Sequence, residues 1–335
     1  MREPRFWSRE VDPRSREAAP LLRFLLTPFA WVYALITRQR IHRAEAVSVP
    51  ATVICIGNLT AGGVGKSPVV AALRAHLQEV HQRRVATLSR GYKGRLKGPI
   101  RVDPRHHQAV DVGDEPLMLA AAGEAWIGAD RAAAGTTMSA AGVDIILMDD
   151  GHQNPSLAKD FTIIVVDASA GFGNGFVIPK GPLREPVRDG LARADAIIIM
   201  GEGTPPAELA RADLPTFHGR LVPLEVPPQQ AYVAFAGIGR PEKFFDTLTS
   251  LGADLRDSVP FADHHAFTDA DMRYLRRLAD DHSAHLITTE KDFARLPQEM
   301  RENIHTLPVA VQFDRPTELD TLLARVIRAE PHGQD

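Results

Sequence analysis

Residues 57–68 read GNLTAGGVGKSP, a glycine-rich loop that closes on Gly65-Lys66-Ser67. It follows the apolar run Val53 to Ile56 and precedes apolar residues at helical spacing from Val69 to Val80. Strand, glycine loop and helix in that order form an anion cradle. Glycines let the backbone approach a phosphate closely, and the N–H groups that open the helix point at it. The expected lining is Thr60, Ala61, Gly62, Gly63, Val64 and Gly65. Lys66 is placed to reach the β- and γ-phosphates and the Ser67 hydroxyl to ligate Mg²⁺. A nucleoside triphosphate with its metal is the expected ligand. The strict spacing G-x-x-x-x-G-K-[ST] would require glycine where Thr60 stands. The nearest earlier glycine is Gly57, so the loop is a longer variant.

A second chemical pair is Asp149-Asp150, directly after the apolar run Asp144 to Met148. A carboxylate pair after a strand, downstream of a phosphate loop, is suited to holding Mg²⁺ or its waters, although a solvated turn would have the same residues. Ser89, Arg90 and Tyr92 close the short strand Val85 to Leu88, and Gly113-Asp114-Glu115-Pro116 precedes a helical run from Leu117. Lys180, Arg184 and Glu185 lie in a Gly/Pro-rich loop of a kind that serves ligands or merely connects elements. Further on stand Asp263-His264-His265 and Thr288-Thr289-Glu290-Lys291-Asp292. The adjacent histidines lack zinc-ligand spacing, and a role for one of them as proton carrier or carboxylate partner competes with a surface role.

The elements that must position these groups alternate. Strands at 53–56, 85–88, 144–148, 161–166 and 196–200 with helices between them define an α/β fold of P-loop NTPase type with a mostly parallel sheet, whose ligands gather at the strands' carboxyl ends. Six prolines between Pro205 and Pro228 then punctuate the chain. A second, smaller α/β unit follows, with strands at 232–236 and 285–289, helices at 241–251 and 269–281, a strand at 309–313 and a helix at 317–329. The expected partition is residues 1–45 as a basic, amphipathic segment, 46–214 as the P-loop core, 215–314 as the smaller domain with linker strands, and 315–335 as the terminal helix and tail.

The chain has 335 residues, 44% hydrophobic and 24% charged, and a net charge of -3, which argues against a general nucleic-acid binder. Its single cysteine, Cys55, cannot form an internal disulfide and reads as a small core residue. Charge is uneven, with nine Arg and four acidic residues in positions 1–43. Within this segment Leu21 to Ile36 is apolar apart from Arg23 and Pro28. As a bilayer crossing it is short of the roughly 20 apolar residues required. The expectation is a helix in the membrane interface, with Phe24, Leu25, Phe29 and Trp31 in lipid and arginines on anionic headgroups. A helix simply packed on the domain fits the same pattern.

Taken in order, GNLTAGGVGKSP, SRGY (Ser89 to Tyr92), GDEP (Gly113 to Pro116), DDGHQ (Asp149 to Gln153), GPLREP (Gly181 to Pro186), FADHHAF (Phe261 to Phe267) and TTEKD (Thr288 to Asp292) resemble the tetraacyldisaccharide 4'-kinase family, the lipid A 4'-kinases of Gram-negative bacteria. The resemblance implies ATP and Mg²⁺ as cofactors. It further implies a tetraacylated glucosamine disaccharide 1-phosphate as acceptor and anionic lipid at the cytoplasmic face of the inner membrane as the surface, while no protein partner is implied. It makes Asp114 the base for the acceptor hydroxyl with His264 hydrogen-bonded to it, and Lys66, Arg184 and Arg90 the cations around the phosphates. Ser67, with Asp149 or Asp150, would serve the metal. Where that family reads DDGFQH or DDGLQH, this chain has His152 in the hydrophobic position and Asn154 in that of the histidine. The rival readings are a membrane-associated regulatory P-loop ATPase and a nucleotide-gated membrane-binding module. The former carries lysine at the position of Ala61, which favours the kinase.

Overall fold

Continuous apolar runs are buried on both faces, which is what a parallel sheet covered by helices demands. In the computed structural model, which describes residues 4–12 and 15–328, these runs build one large sheet. Its part of the chain contains α1 (Pro20–Arg43), β1 (Thr52–Gly57), α2 (Lys66–His81), β2 (Val85–Ser89), β3 (Ile100–Arg101), α3 (Ala109–Val112), α4 (Asp114–Ala121) and β4 (Ala125–Ile127). It continues through α5 (Arg131–Ala140), β5 (Ile145–Asp149), β6 (Phe161–Asp167), α6 (Val187–Leu191), β7 (Ala196–Met200) and β8 (Thr216–Pro223). A smaller unit contains β9 (Ala231–Ala236), α7 (Pro241–Ser250), β10 (Asp254–Pro260), α8 (Asp269–Asp281), β11 (His285–Thr289), α9 (Glu290–Arg295) and β12 (Ile304–Leu307). The chain then returns through β13 (Val309–Phe313) and α10 (Pro316–Arg328).

The large sheet has the order β13-β8-β7-β6-β1-β5-β2-β4-β3, parallel except for the antiparallel edge pairs β13–β8 and β3–β4. β1 lies between β5 and β6, so the phosphate loop leaves the middle of the sheet beside the end of β5. The small sheet, β10-β9-β11-β12, is wholly parallel. Helix α2 covers the large sheet with Val69, Val70, Leu73 and Leu77, and Leu319 and Leu323 of α10 join the same core. Cys55 is fully buried, and burial pushes its thiol up to about 12. It is therefore an inert small core residue.

The fold is the expected α/β arrangement, with several elements beyond those read from the sequence. Among them, β8 lies in the proline-punctuated stretch and is polar enough to read as linker, yet it closes the large sheet against β13. β10, with the sequence DLRDSVP, is the half-exposed edge of the small sheet and lacks an apolar run. Helix α5 buries only Arg131, Ala134, Gly135 and Met138, so its helical period is carried by small residues.

Helix α1 runs eight residues beyond the apolar run expected of it, to 24 residues, about 36 Å at 1.5 Å per residue. By length and composition it could cross a bilayer. Its less exposed residues recur at helical spacing, Arg23, Leu26, Thr27, Ala30, Ala34, Thr37 and Ile41, and form one narrow stripe against the protein. Lys180 donates to Thr27 Oγ1 at 3.0 Å, Arg23 stacks on Phe176, and Arg40 donates to the Gln153 carbonyl at 3.3 Å. The rest of the circumference carries exposed Leu21, Phe24, Leu25, Phe29, Trp31 and Ile36. The tail after Arg328 and Arg14 lie outside the described residues.

Candidate active site

The phosphate loop is held open from behind by the Gly/Pro-rich loop. Ala61 N–H donates to the Pro182 carbonyl at 2.7 Å and Arg184 N–H to the Leu59 carbonyl at 2.7 Å. Gly62 and Gly65 have φ of 122° and 84°, a region that disfavours side chains. Gly63 has no such reason to be glycine, and a Cβ built on it would meet nothing within 4 Å. The space there is open, as close approach of a phosphate requires.

Lys66 and Ser67 open α2. Lys66 Nζ lies 3.5 Å from Asp150 Oδ1, which also accepts from Arg184 Nη1 at 2.8 Å. Asp150 thus gathers two of the expected phosphate cations. It does so with φ of 54°, in a strained left-handed conformation that aspartate tolerates better than most residues. Burial works against its ionisation, but Lys66 and Arg184 hold its carboxyl below the usual range.

Asp149 is in a different situation. Ser67 Oγ donates to its Oδ2 at 3.3 Å, while its Oδ1 is buried without a partner. Burial, with the charge of Glu115 adding to it, pushes the carboxyl up to about 7. A hydroxyl oxygen beside an orphaned carboxylate oxygen is a donor set that fits a hard dication such as Mg²⁺.

Asp114 is the first residue of α4, entered through Gly113 with φ of 92°. A Cβ at Gly113 would stand 2.6 Å from the Tyr92 carbonyl oxygen, so only glycine brings the SRGY segment against the helix start. Across the cleft, His264 Nδ1 lies 2.9 Å from Asp114 Oδ2, which also accepts from Arg295 Nε at 2.7 Å. His264 too is left-handed, with φ of 57°. Arg295 is only 5% exposed and donates further to Asp292 Oδ1 and the Gly237 carbonyl, which fixes its plane. Lys291 Nζ pairs with Glu115 Oε1 at 3.1 Å beside it. Burial would raise the Asp114 carboxyl, but the His264 bond and the charges of Arg295 and Lys291 hold it well below the usual range. The group is ionised throughout the physiological range.

The expected residues therefore fall into two clusters. Lys66, Ser67, Asp149, Asp150 and Arg184 meet at the loop, and Asp114 meets His264 at the seam between the sheets. Arg90 directly follows β2, exposed and without a hydrogen bond or ion pair among the described residues. His265 is absorbed elsewhere, its Nε2 3.0 Å from Asp271 Oδ2 in the capping box of α8. Lys180 serves α1, not the loop. His152 is buried and pushed down to about 3, chiefly by burial, so it is neutral and its Nε2–H donates to the Gly190 carbonyl at 3.1 Å. It fills an apolar position as a neutral ring. Asn154 closes a turn, accepting from Ser156 N–H and Oγ.

Sequence reasoning missed Arg295, Arg131 and Gln153. Arg295 follows Asp292 by three residues, a spacing that brings two side chains together only once α9 is known. Arg131, at the start of α5, is buried with its Nε unpaired and is pushed down to about 10, by burial first and then by the charge of Arg90, with Asp149 and Asp150 opposing. Gln153 ties Asn58 of the loop to Glu185.

A phosphate loop on the central strand, a carboxylate beside its serine and a carboxylate–histidine pair at the seam with the small unit define a P-loop phosphotransferase. The sequence profile described as tetraacyldisaccharide-1-P 4'-kinase matches residues 22–328. The tetraacyldisaccharide 4'-kinase of Hyphomonas neptunium is 54% identical over 98% of both chains, and that of Rhodospirillum centenum is 50% identical over 100% of this chain and 99% of the other. Among solved structures, LpxK from Aquifex aeolicus in complex with ATP superposes with a TM-score of 0.72 at 26% identity, over 91% of this chain and 99% of that one. The chain belongs to the tetraacyldisaccharide 4'-kinase family.

Proposed function

We propose that the protein transfers the γ-phosphoryl group of ATP to the 4'-hydroxyl of a tetraacylated glucosamine disaccharide 1-phosphate, a step of lipid A synthesis. The observation that carries this is the Asp114–His264 bond between the two units, next in sequence to Glu115, whose charge acts on Asp149 beside Ser67, within a chain of this family. Lys66 and the N–H groups of residues 60–65 bind the triphosphate, and Arg184, with Arg90, faces the charge that develops on the transferred group. Asp150 orients Lys66 and Arg184. Ser67 and Asp149 would hold Mg²⁺, which supplies neutralisation of the β- and γ-oxygens.

Asp114 Oδ1 lies outside both hydrogen bonds that occupy Oδ2 and receives the proton of the acceptor hydroxyl. A carboxylate this acidic is a weak base, so it takes the proton late, as the new O–P bond forms and the bond to the departing diphosphate breaks. His264 and Arg295 keep it ionised and aimed until then.

The acceptor arrives from a membrane surface. α1 is fastened to the core through Arg23 and Thr27 in its first half and through Arg40 near its end, which supports a helix lying along the membrane and not across it. Its outward arc of bulky apolar residues spans roughly 200° at 100° per residue and would enter the lipid at the cytoplasmic face of the inner membrane.

The test is transfer of label from γ-labelled ATP to the disaccharide lipid in mixed micelles. Wild type should yield one labelled lipid, and Lys66→Ala should lose about 10²–10³-fold in kcat, comparable to removing one transition-state donor. A folded Lys66→Ala protein with normal turnover, or ATP hydrolysis without labelled lipid, would contradict the reading.

A further inference from the structure

Far along α2 from the phosphate loop, His76 and His81 both turn their Nε2 atoms onto a single carboxylate oxygen of α10. His76 Nε2 lies 2.8 Å and His81 Nε2 2.9 Å from Asp320 Oδ1. The three ligand atoms lie within 4.8 Å of one another, and the imidazole rings stand nearly perpendicular, at 75°. All three side chains are partly buried, His81 most, with 14% of its surface exposed.

We infer that His76, His81 and Asp320 form a site for a divalent transition-metal ion of the zinc class, separate from the nucleotide site. Zinc takes imidazole nitrogen at about 2.0–2.1 Å and carboxylate oxygen at about 2.0–2.2 Å, which places tetrahedral ligands about 3.4 Å apart. The N···O separations here need to widen by only about half an ångström. Two imidazoles and one carboxylate are borderline ligands that favour Zn²⁺ over Mg²⁺, and the partial exposure leaves a fourth position for water. Both histidines offer Nε2, which leaves each Nδ1 free to be oriented by a second partner.

The site's consequence follows from its place. Leu319 and Leu323 flank Asp320 in sequence and belong to the core that α2 covers with Leu73 and Leu77. A metal here fastens the last helix to the helix that begins at the phosphate loop, on the end remote from the chemistry. It is a structural clamp, and activity at ambient temperature should not require it.

Co²⁺ is the direct probe, because four-coordinate cobalt absorbs strongly in the visible while the oxygen-rich nucleotide site holds it six-coordinate and nearly colourless. Metal-free protein in excess Mg²⁺ should bind one Co²⁺ with tetrahedral d–d bands, and Zn²⁺ should displace it. Zn²⁺ should also raise the thermal midpoint. His76→Ala/His81→Ala should weaken binding by at least about 100-fold, and Asp320→Asn, which preserves side-chain volume, should abolish the thermal shift while retaining kinase activity. Colourless Co²⁺ protein with no Zn²⁺-dependent shift would overturn the site, as would equal binding by wild type and Asp320→Asn. Either outcome would reduce the cluster to two histidine–carboxylate hydrogen bonds.

Discussion

Asp149 and Asp150 are neighbours in sequence with opposite electrostatics. Asp150 is held ionised by Lys66 and Arg184, whereas Asp149 is buried beside Ser67 and pushed up to about 7. Its folded value stands above the ordinary aspartate value of about 3.9, so without metal the folded state retains a proton that the unfolded state has lost. The stability this contributes is complete below about pH 4 and is lost as pH rises through about 7. Asp149→Asn, neutral at every pH, should flatten the thermal midpoint of the metal-free protein across that window. A metal held by Asp149, as we propose, would have to displace the same proton. Mg²⁺ affinity, read by calorimetry in the presence of a nonhydrolysable ATP analogue, should therefore fall up to about tenfold per unit below pH 7 and level off above it. A wild-type Mg²⁺ affinity unchanged between about pH 6 and about pH 8 would contradict a proton retained on Asp149 in the metal-free protein.

At the scale of elements, the strands with apolar runs and the helices with a 3.6-residue period were legible, because burial on both faces or on one stripe dictates residue type directly. α8 and β11 have the bounds read from composition, Asp269–Asp281 and His285–Thr289. β8, β10 and α9 were not legible, since their pairing partners and not their own residues make them regular. The loss of α9 concealed Arg295, and the loss of α5 concealed Arg131. In α1 the apolar run was plain, but the stripe Arg23, Leu26, Thr27, Ala30, Ala34 and Thr37 became visible only against the core it touches. The outward side chains Phe24 and Trp31, 74% and 76% exposed, have no packing role inside the molecule. Phe24→Ser/Trp31→Ser should preserve the fold and reduce partition into anionic vesicles by at least about tenfold, given roughly 1.5–3 kcal/mol for burying each large apolar side chain. Salt should weaken wild-type binding, since the arginines act through screened charge. Undiminished sedimentation of the double variant with vesicles would contradict a lipid-facing α1.

Over the whole molecule, the phosphate-loop cluster belongs to the unit of the large sheet, while His264, Arg295, Asp292 and Lys291 belong to that of the small one. The Asp114–His264 bond joins residues 150 positions apart, and the Lys291–Glu115 pair reinforces it. The resemblance named Asp114, His264 and the bond between them but not Arg295, which helps His264 hold Asp114 ionised and comes from a helix that left no apolar signature. We propose that Asp114 and His264 act as one proton-handling unit across the seam. The most direct measurement is a kinetic double-mutant cycle at saturating ATP and lipid. Asp114→Ala and His264→Ala should each lower kcat by about 10²–10⁴-fold, and the double variant should be little worse than the more damaging single one, with ATP affinity nearly unchanged and His265→Ala mild. Fully multiplicative losses in kcat, or a severe His265→Ala defect beside a mild His264→Ala one, would contradict it.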